Sequence, residues 1–153
     1  MRYKSCMSEV TLQLDEAALT LTVGAEQHRL PIGLAGLSQA FGQRMPEVLA
    51  LENAIADVED AVMPAARHLP AGTRTLATSS PWLLQLMRSA TGDPQARSAS
   101  REAIETLFSA LARQAQQPGY RDAQMPQTPE AAAALLVLRE CLHHWGITEL
   151  RAL

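Results

Sequence analysis

The residues with the clearest chemical potential lie near the end of the chain, in Glu140-Cys141-Leu142-His143-His144. On a helix Glu140 stands at i, i+3 to His143 and at i, i+4 to His144, so a carboxylate and an imidazole share one face. A Glu-x-x-His pair is what one ligand helix contributes to a di-iron bundle, but such a site also needs a second pair and further carboxylates. The sequence has no second Glu-x-x-His, and of its four histidines only His28 and His68 remain, without a ligand-spaced partner. Zinc held by a Cys or His quartet is therefore not indicated. The reading is of two histidines that compensate a helix dipole and a buried free thiol at Cys141. No metal, no cofactor and no catalytic residue is assigned, and no stoichiometric transition metal is expected. Cys141 and His144 also have the spacing of a thiol and its base, but a thiol beside an apolar run is more often inert packing.

Other constellations are weaker. Glu52, Asp57, Glu59 and Asp60 read as the solvated face of a helix. Ser79 and Ser80 lie where a strand would meet a helix, yet the Gly-x-Ser-x-Gly pattern of a nucleophile elbow is absent, and helix capping explains them better. Gly33, Gly36 and Gly42 occur without a Walker lysine or a Gly-x-Gly-x-x-Gly run, so no phosphate-binding loop is indicated. Trp82 and Trp145 mark helix ends and are read as core packing.

The elements that must position these residues are legible from their periods. Val10, Leu12 and Leu14 alternate with polar residues, Leu19, Leu21 and Val23 do the same, and His28, Leu30 and Ile32 follow. That pattern predicts a small antiparallel meander over about residues 9–32 with one apolar face. Pro31 to Gly42 is a loop or one short helix. Met45-Pro46-Glu47 opens a helix over about 46–63, stopped or kinked by Pro64. Thr75 to Thr78 is a brief strand. Ser80-Pro81 starts another helix, ended by Thr91-Gly92-Asp93-Pro94. Ser100 or Asp93 caps the next, with Ile104, Leu107, Phe108 and Leu111 on its apolar face. Gln116 to Gln127 reads as an exposed loop. Thr128-Pro129-Glu130 starts the last helix, whose run Ala131–Leu138 is apolar all round and marks a central position. Gly146 fits the left-handed C′ site that ends it, with Ile147 reaching back to Leu142.

The fold class expected is thus α+β, a small N-terminal antiparallel meander followed by four or five helices and mainly helical overall. Residues 1–8 are expected to be a disordered extension, and 9–150 a single domain. The chain has 153 residues, 47% of them apolar and 19% charged, with a net charge of −3, enough apolar content to bury one core. The net charge argues against nucleic acid and anionic membranes, and 4% aromatic content argues against a stacking platform for single strands. Two cysteines make no disulfide framework. Arg2 and Lys4 precede no apolar segment of signal-peptide type, and Ala131–Leu138 is far shorter than the ~18–20 residues of a membrane span, so a cytoplasmic protein is expected.

Function is read largely by elimination. Val48, Leu51, Ile55, Val58 and Val62 recur at 3, 4, 3 and 4, the rhythm of a two-helix seam. With no complete catalytic set, the expectation is a non-enzymatic bacterial accessory or adaptor protein that binds a protein partner or itself, as a homodimer, through that stripe. The alternative is a small enzyme or ligand-binding protein. Its anion pocket would lie between the sheet and the last helix, with Arg67, Arg74 or Arg139 holding the ligand.

Overall fold

The structure is a computed structural model that describes residues 9–153 apart from Pro126; the expected extension, with Cys6, lies outside the described residues. The elements in chain order are β1 (Val10–Leu14), β2 (Leu19–Val23), β3 (Glu26–Leu30), α1 (Leu34–Ala40), α2 (Val48–Ala65), β4 (Thr75–Thr78), α3 (Pro81–Thr91), β5 (Ser98–Ser100), α4 (Arg101–Gln116), α5 (Pro129–His144) and β6 (Glu149–Ala152). A single 3-10 turn, Ala66–His68, follows α2.

The α+β class stands, but the sheet is larger than a meander. Six strands lie in the order β3-β2-β1-β4-β6-β5. The meander β1–β2–β3 is antiparallel as expected; β4 then pairs parallel with β1, β6 parallel with β4, and β5 antiparallel with β6. The correction has a physical cause. β4 is the brief strand expected at Thr75–Thr78, but β6 has four residues and β5 three, too short to show a period. β4 is also central and buries Leu76, Ala77 and Thr78 in succession, so the in–out alternation that marks β1 is lost.

One face of the sheet carries Val10, Leu12, Leu14, Leu19, Leu21, Leu76 and Leu150, all buried. The other carries Thr11, Gln13, Thr20, Thr22, Thr75, Glu149 and Arg151, half-buried or exposed. The helices pack on the apolar face around α5, which touches α1, α2, α3 and α4. Every residue from Ala131 to Leu138 is buried, as an all-apolar helix requires. Its N-terminus is capped by Thr128, whose hydroxyl oxygen accepts from the Ala131 N–H at 3.2 Å, and Pro129 takes the first turn.

The stripe on α2 belongs to this core. Leu51, Val58 and Val62 are buried inside the chain, so they are not available to a partner as the expected seam required. Val48 and Ile55 are half-buried and line a shallow groove with Ala112 and Ala115 of α4. Leu49, beside the stripe, is 69% exposed. Pro64 sits within the last turn of α2 rather than stopping it earlier. The buried Trp145 ring fastens this helix to α5, its Nε1–H donating to the Val62 carbonyl at 2.9 Å.

Gly146 is left-handed at φ 65°, and the Ile147 N–H donates to the Leu142 carbonyl at 3.0 Å, the six-to-one bond of a Schellman stop. Gly146→Ala is expected to lower stability by about 1 kcal/mol, because a Cβ is penalised at that φ. Thermal melts read the change, and a melting curve identical to the parent's would contradict the cap.

Candidate functional site

The chain runs outward from β1 to β2 and β3, then returns to place β4 and β6 on the other side of β1. The β1/β4 boundary is thus a switch point, and in open sheets ligands bind outside the carboxyl ends of the strands at such a point. At this edge β1 leads into Asp15-Glu16-Ala17-Ala18 and β4 into Ser79-Ser80 and the first turn of α3.

The Asp15 turn is tightly held. Asp15 Oδ1 accepts from the Ala17 and Ala18 N–H groups, both at 2.9 Å, and these bonds lower its pKa from the ordinary carboxylate value. The N-terminus of α1 closes on the turn from outside: the Leu34 and Ala35 N–H groups donate to the carbonyls of Asp15 and Glu16 at 3.1 and 3.0 Å. Asp15 therefore stays ionised and occupies two amide groups that an anion would otherwise meet.

The β4 side is more open. Ser80 holds the N-cap position and Pro81 the first turn, but the Ser80 hydroxyl does not cap the helix. It donates instead to the Leu14 carbonyl at 3.0 Å, while Thr78 Oγ1 donates to the Leu12 carbonyl at 2.6 Å. Both bonds stitch β4 to β1. Ser79 is exposed, and its Oγ accepts from Gln13 Nε2 at 2.8 Å. An amide cannot take a proton, so this contact does not activate Ser79 as a nucleophile, and its hydroxyl hydrogen is left to donate. With no side chain capping α3, its first-turn amides also face this edge. Arg97 reaches the same place: its Nη2 donates to the Leu153 carbonyl at 3.4 Å, and the Leu153 N–H donates to the Thr78 carbonyl at 2.9 Å.

Where a pocket between sheet and last helix was expected, the residues of α5 from Ala131 to Leu138 are all buried and packed as core. A cleft of about 480 Å³ opens at the opposite, amino edge of the sheet, lined by Glu9, Arg74, Glu149 and Arg151 among others. Its Arg151 is paired with Glu9. Arg67 is exposed on the 3-10 turn.

Arg139 is committed elsewhere. Its Nη1 donates to Glu140 Oε2 at 2.6 Å and its Nε to Glu105 Oε1 at 3.2 Å, and its guanidinium lies 4.9 Å from the Phe108 ring centroid. Glu140 is fully buried. Its other oxygen lies 3.1 Å from His144 Nε2, which also lies 3.1 Å from Glu59 Oε2 on α2. Glu59 thus leaves the solvated face to which sequence assigned it. Its imidazole partner is 85 residues away, and no local period carries that contact. His143 is exposed. Burial, reinforced by the Glu140 charge, pushes the Cys141 thiol far above its ordinary pKa, so it is packing rather than a nucleophile. His28 and His68 stack with ring centroids 3.5 Å apart. No helix among the described residues is long and apolar enough to cross a membrane.

No family model matches the sequence, and no curated protein matches it. Solved structures do match in fold. The Aquifex aeolicus PPX-GPPA enzyme superposes with a TM-score of 0.71 at 14% identity, over 97% of this chain and 54% of that one. The type II variant of the Aquifex aeolicus Ppx/GppA phosphatase gives 0.66 at 15% identity over 97% and 54%. An exopolyphosphatase-like protein gives 0.69 at 15% identity over 99% and 58%. The chain spans little more than half the length of each. At this identity the likeness is one of fold alone, to structures described as Ppx/GppA enzymes and an exopolyphosphatase-like protein. It overturns the expectation of a non-enzymatic adaptor acting through protein–protein interaction, which rested on the absence of a local catalytic motif.

Proposed function

We propose that the chain is a phosphatase-like lobe that binds a phosphate-chain ligand at the carboxyl edge of its sheet. The observation that carries the reading is the uncapped N-terminus of α3 at the β1/β4 switch point, beside the Ser79 hydroxyl. Amides at a helix N-terminus favour anions through both their free hydrogens and the dipole. Arg97 adds a positive charge there. The phosphatase folds it resembles support the ligand class, and their greater length supports a second lobe as the source of any groups needed for hydrolysis.

Tripolyphosphate titrated into the protein tests the reading by calorimetry, with sulfate as control and released phosphate followed in parallel. Saturable tripolyphosphate binding is expected, weakened about tenfold or more in Ser79→Glu, where a carboxylate would face the ligand. No binding of tripolyphosphate or longer chains, or equal binding by Ser79→Glu, would overturn it.

A further inference from the structure

Independently of that edge, we infer that Glu59, Glu140 and His144 form a binding site for one divalent cation of the zinc class. Two elements supply the ligands. Glu140 and His144 share a face of α5 at i, i+4, and Glu59 is brought to them by α2. One ligand atom from each residue lies within 4.8 Å of the others, and His144 Nε2 is 3.1 Å from an oxygen of each carboxylate. Ligand atoms bound to one ion at about 2.0–2.1 Å stand roughly 3 to 3.5 Å apart, so the two imidazole–carboxylate spacings are those of a coordination polyhedron.

Donor placement and charge both suit a cation. An ion between the three groups would meet the imidazole nitrogen and one oxygen of each carboxylate. Charge balance agrees. Glu105 and Glu140 share the Arg139 guanidinium, and Glu59 and Glu140 meet at His144, so carboxylates outnumber guanidinium groups in the cluster. Glu140 has no solvent exposure, so the pull of its carboxylate on a cation is not weakened by water. Arg139 takes Oε2 of Glu140 and leaves Oε1 toward His144, so it acts as the outer partner that orients a ligating carboxylate. One nitrogen and two oxygens, with no thiolate, select zinc or a neighbouring first-row divalent metal over magnesium or calcium. Glu59 is 37% exposed, which gives the ion a path from solvent and a position for water as a further ligand. The proposal departs from the expectation of a metal-free protein because α2 brings Glu59 to the pair on the last helix. A bound ion would clip α2 to α5.

The test uses the full chain, stripped with chelator, exchanged into chelator-free buffer and titrated with zinc chloride by calorimetry, with elemental analysis after dialysis. One zinc per chain and a raised melting temperature are expected. Glu59→Gln should weaken binding about 100-fold or more, as should His144→Gln, while His143→Ala leaves it unchanged. Circular dichroism of Glu59→Gln, altered at a half-exposed position, confirms that loss of binding is not loss of folding. Absence of uptake by the parent, uptake that survives Glu59→Gln, or uptake lost in His143→Ala would each overturn the site.

Discussion

Arg139→Met is expected to lower the unfolding free energy by about 3 kcal/mol or more, measured by urea denaturation in the presence of chelator. The cause is the carboxylate left behind. Glu140 is fully buried, and its shortest bond is the 2.6 Å contact with Arg139 Nη1. A buried pair adds little net stability when intact, because both charges have lost their hydration, but removing one partner exposes the full desolvation cost of the other. Methionine preserves much of the packing against Phe108, so the effect isolates the charge. The double variant Arg139→Met/Glu140→Leu should recover most of the loss, since an apolar residue needs no counter-charge. A single variant as stable as the parent would show that His144 alone satisfies Glu140.

This network also marks the limit of what sequence could reveal. The helix ends were legible because their chemistry is local: Thr128 with Pro129, Ser100 accepting from the Ala103 N–H, and Gly146 at a positive φ all act within one turn. The meander was legible because each strand buries one face. β5 and β6 were not, since strands of three and four residues exist only through pairing with one another and with β4. The site residues divide in the same way. Glu140 and His144 were visible as a helical pair, but Glu59 joins them only when α2 packs on α5. Ser80 was recognised as a helix start, and the structure shows why its hydroxyl is unavailable for capping: the carbonyl of Leu14 takes it. The switch point itself is a property of strand order and leaves no mark on the sequence.

Gly33→Ala is expected to destabilise the chain by about 1–3 kcal/mol, the usual range for forcing an extra carbon into a closed contact. Gly33 is extended, at φ −147° and ψ 171°, so its backbone suits any residue and the constraint is space. A Cβ there would lie 2.5 Å from the carbonyl carbon of Ala17 and from the Glu16 oxygen, and 2.7 Å from the Ala18 nitrogen. All three are backbone atoms, and no rotamer change relieves them. The turn cannot easily retreat, because Asp15 holds it from within and the Leu34 and Ala35 amides hold it from without. Either α1 lifts away and loses those bonds, or the turn shifts at the carboxyl edge. Gly36 provides the control within the same helix. A Cβ at that position meets nothing within 4 Å, and Gly36→Ala should be neutral or stabilising by up to about 1 kcal/mol through helix propensity. Urea melts of the two variants should therefore move in opposite directions from the parent, and a Gly33→Ala curve that coincides with that of Gly36→Ala would show that α1 does not close on the Asp15 turn as described.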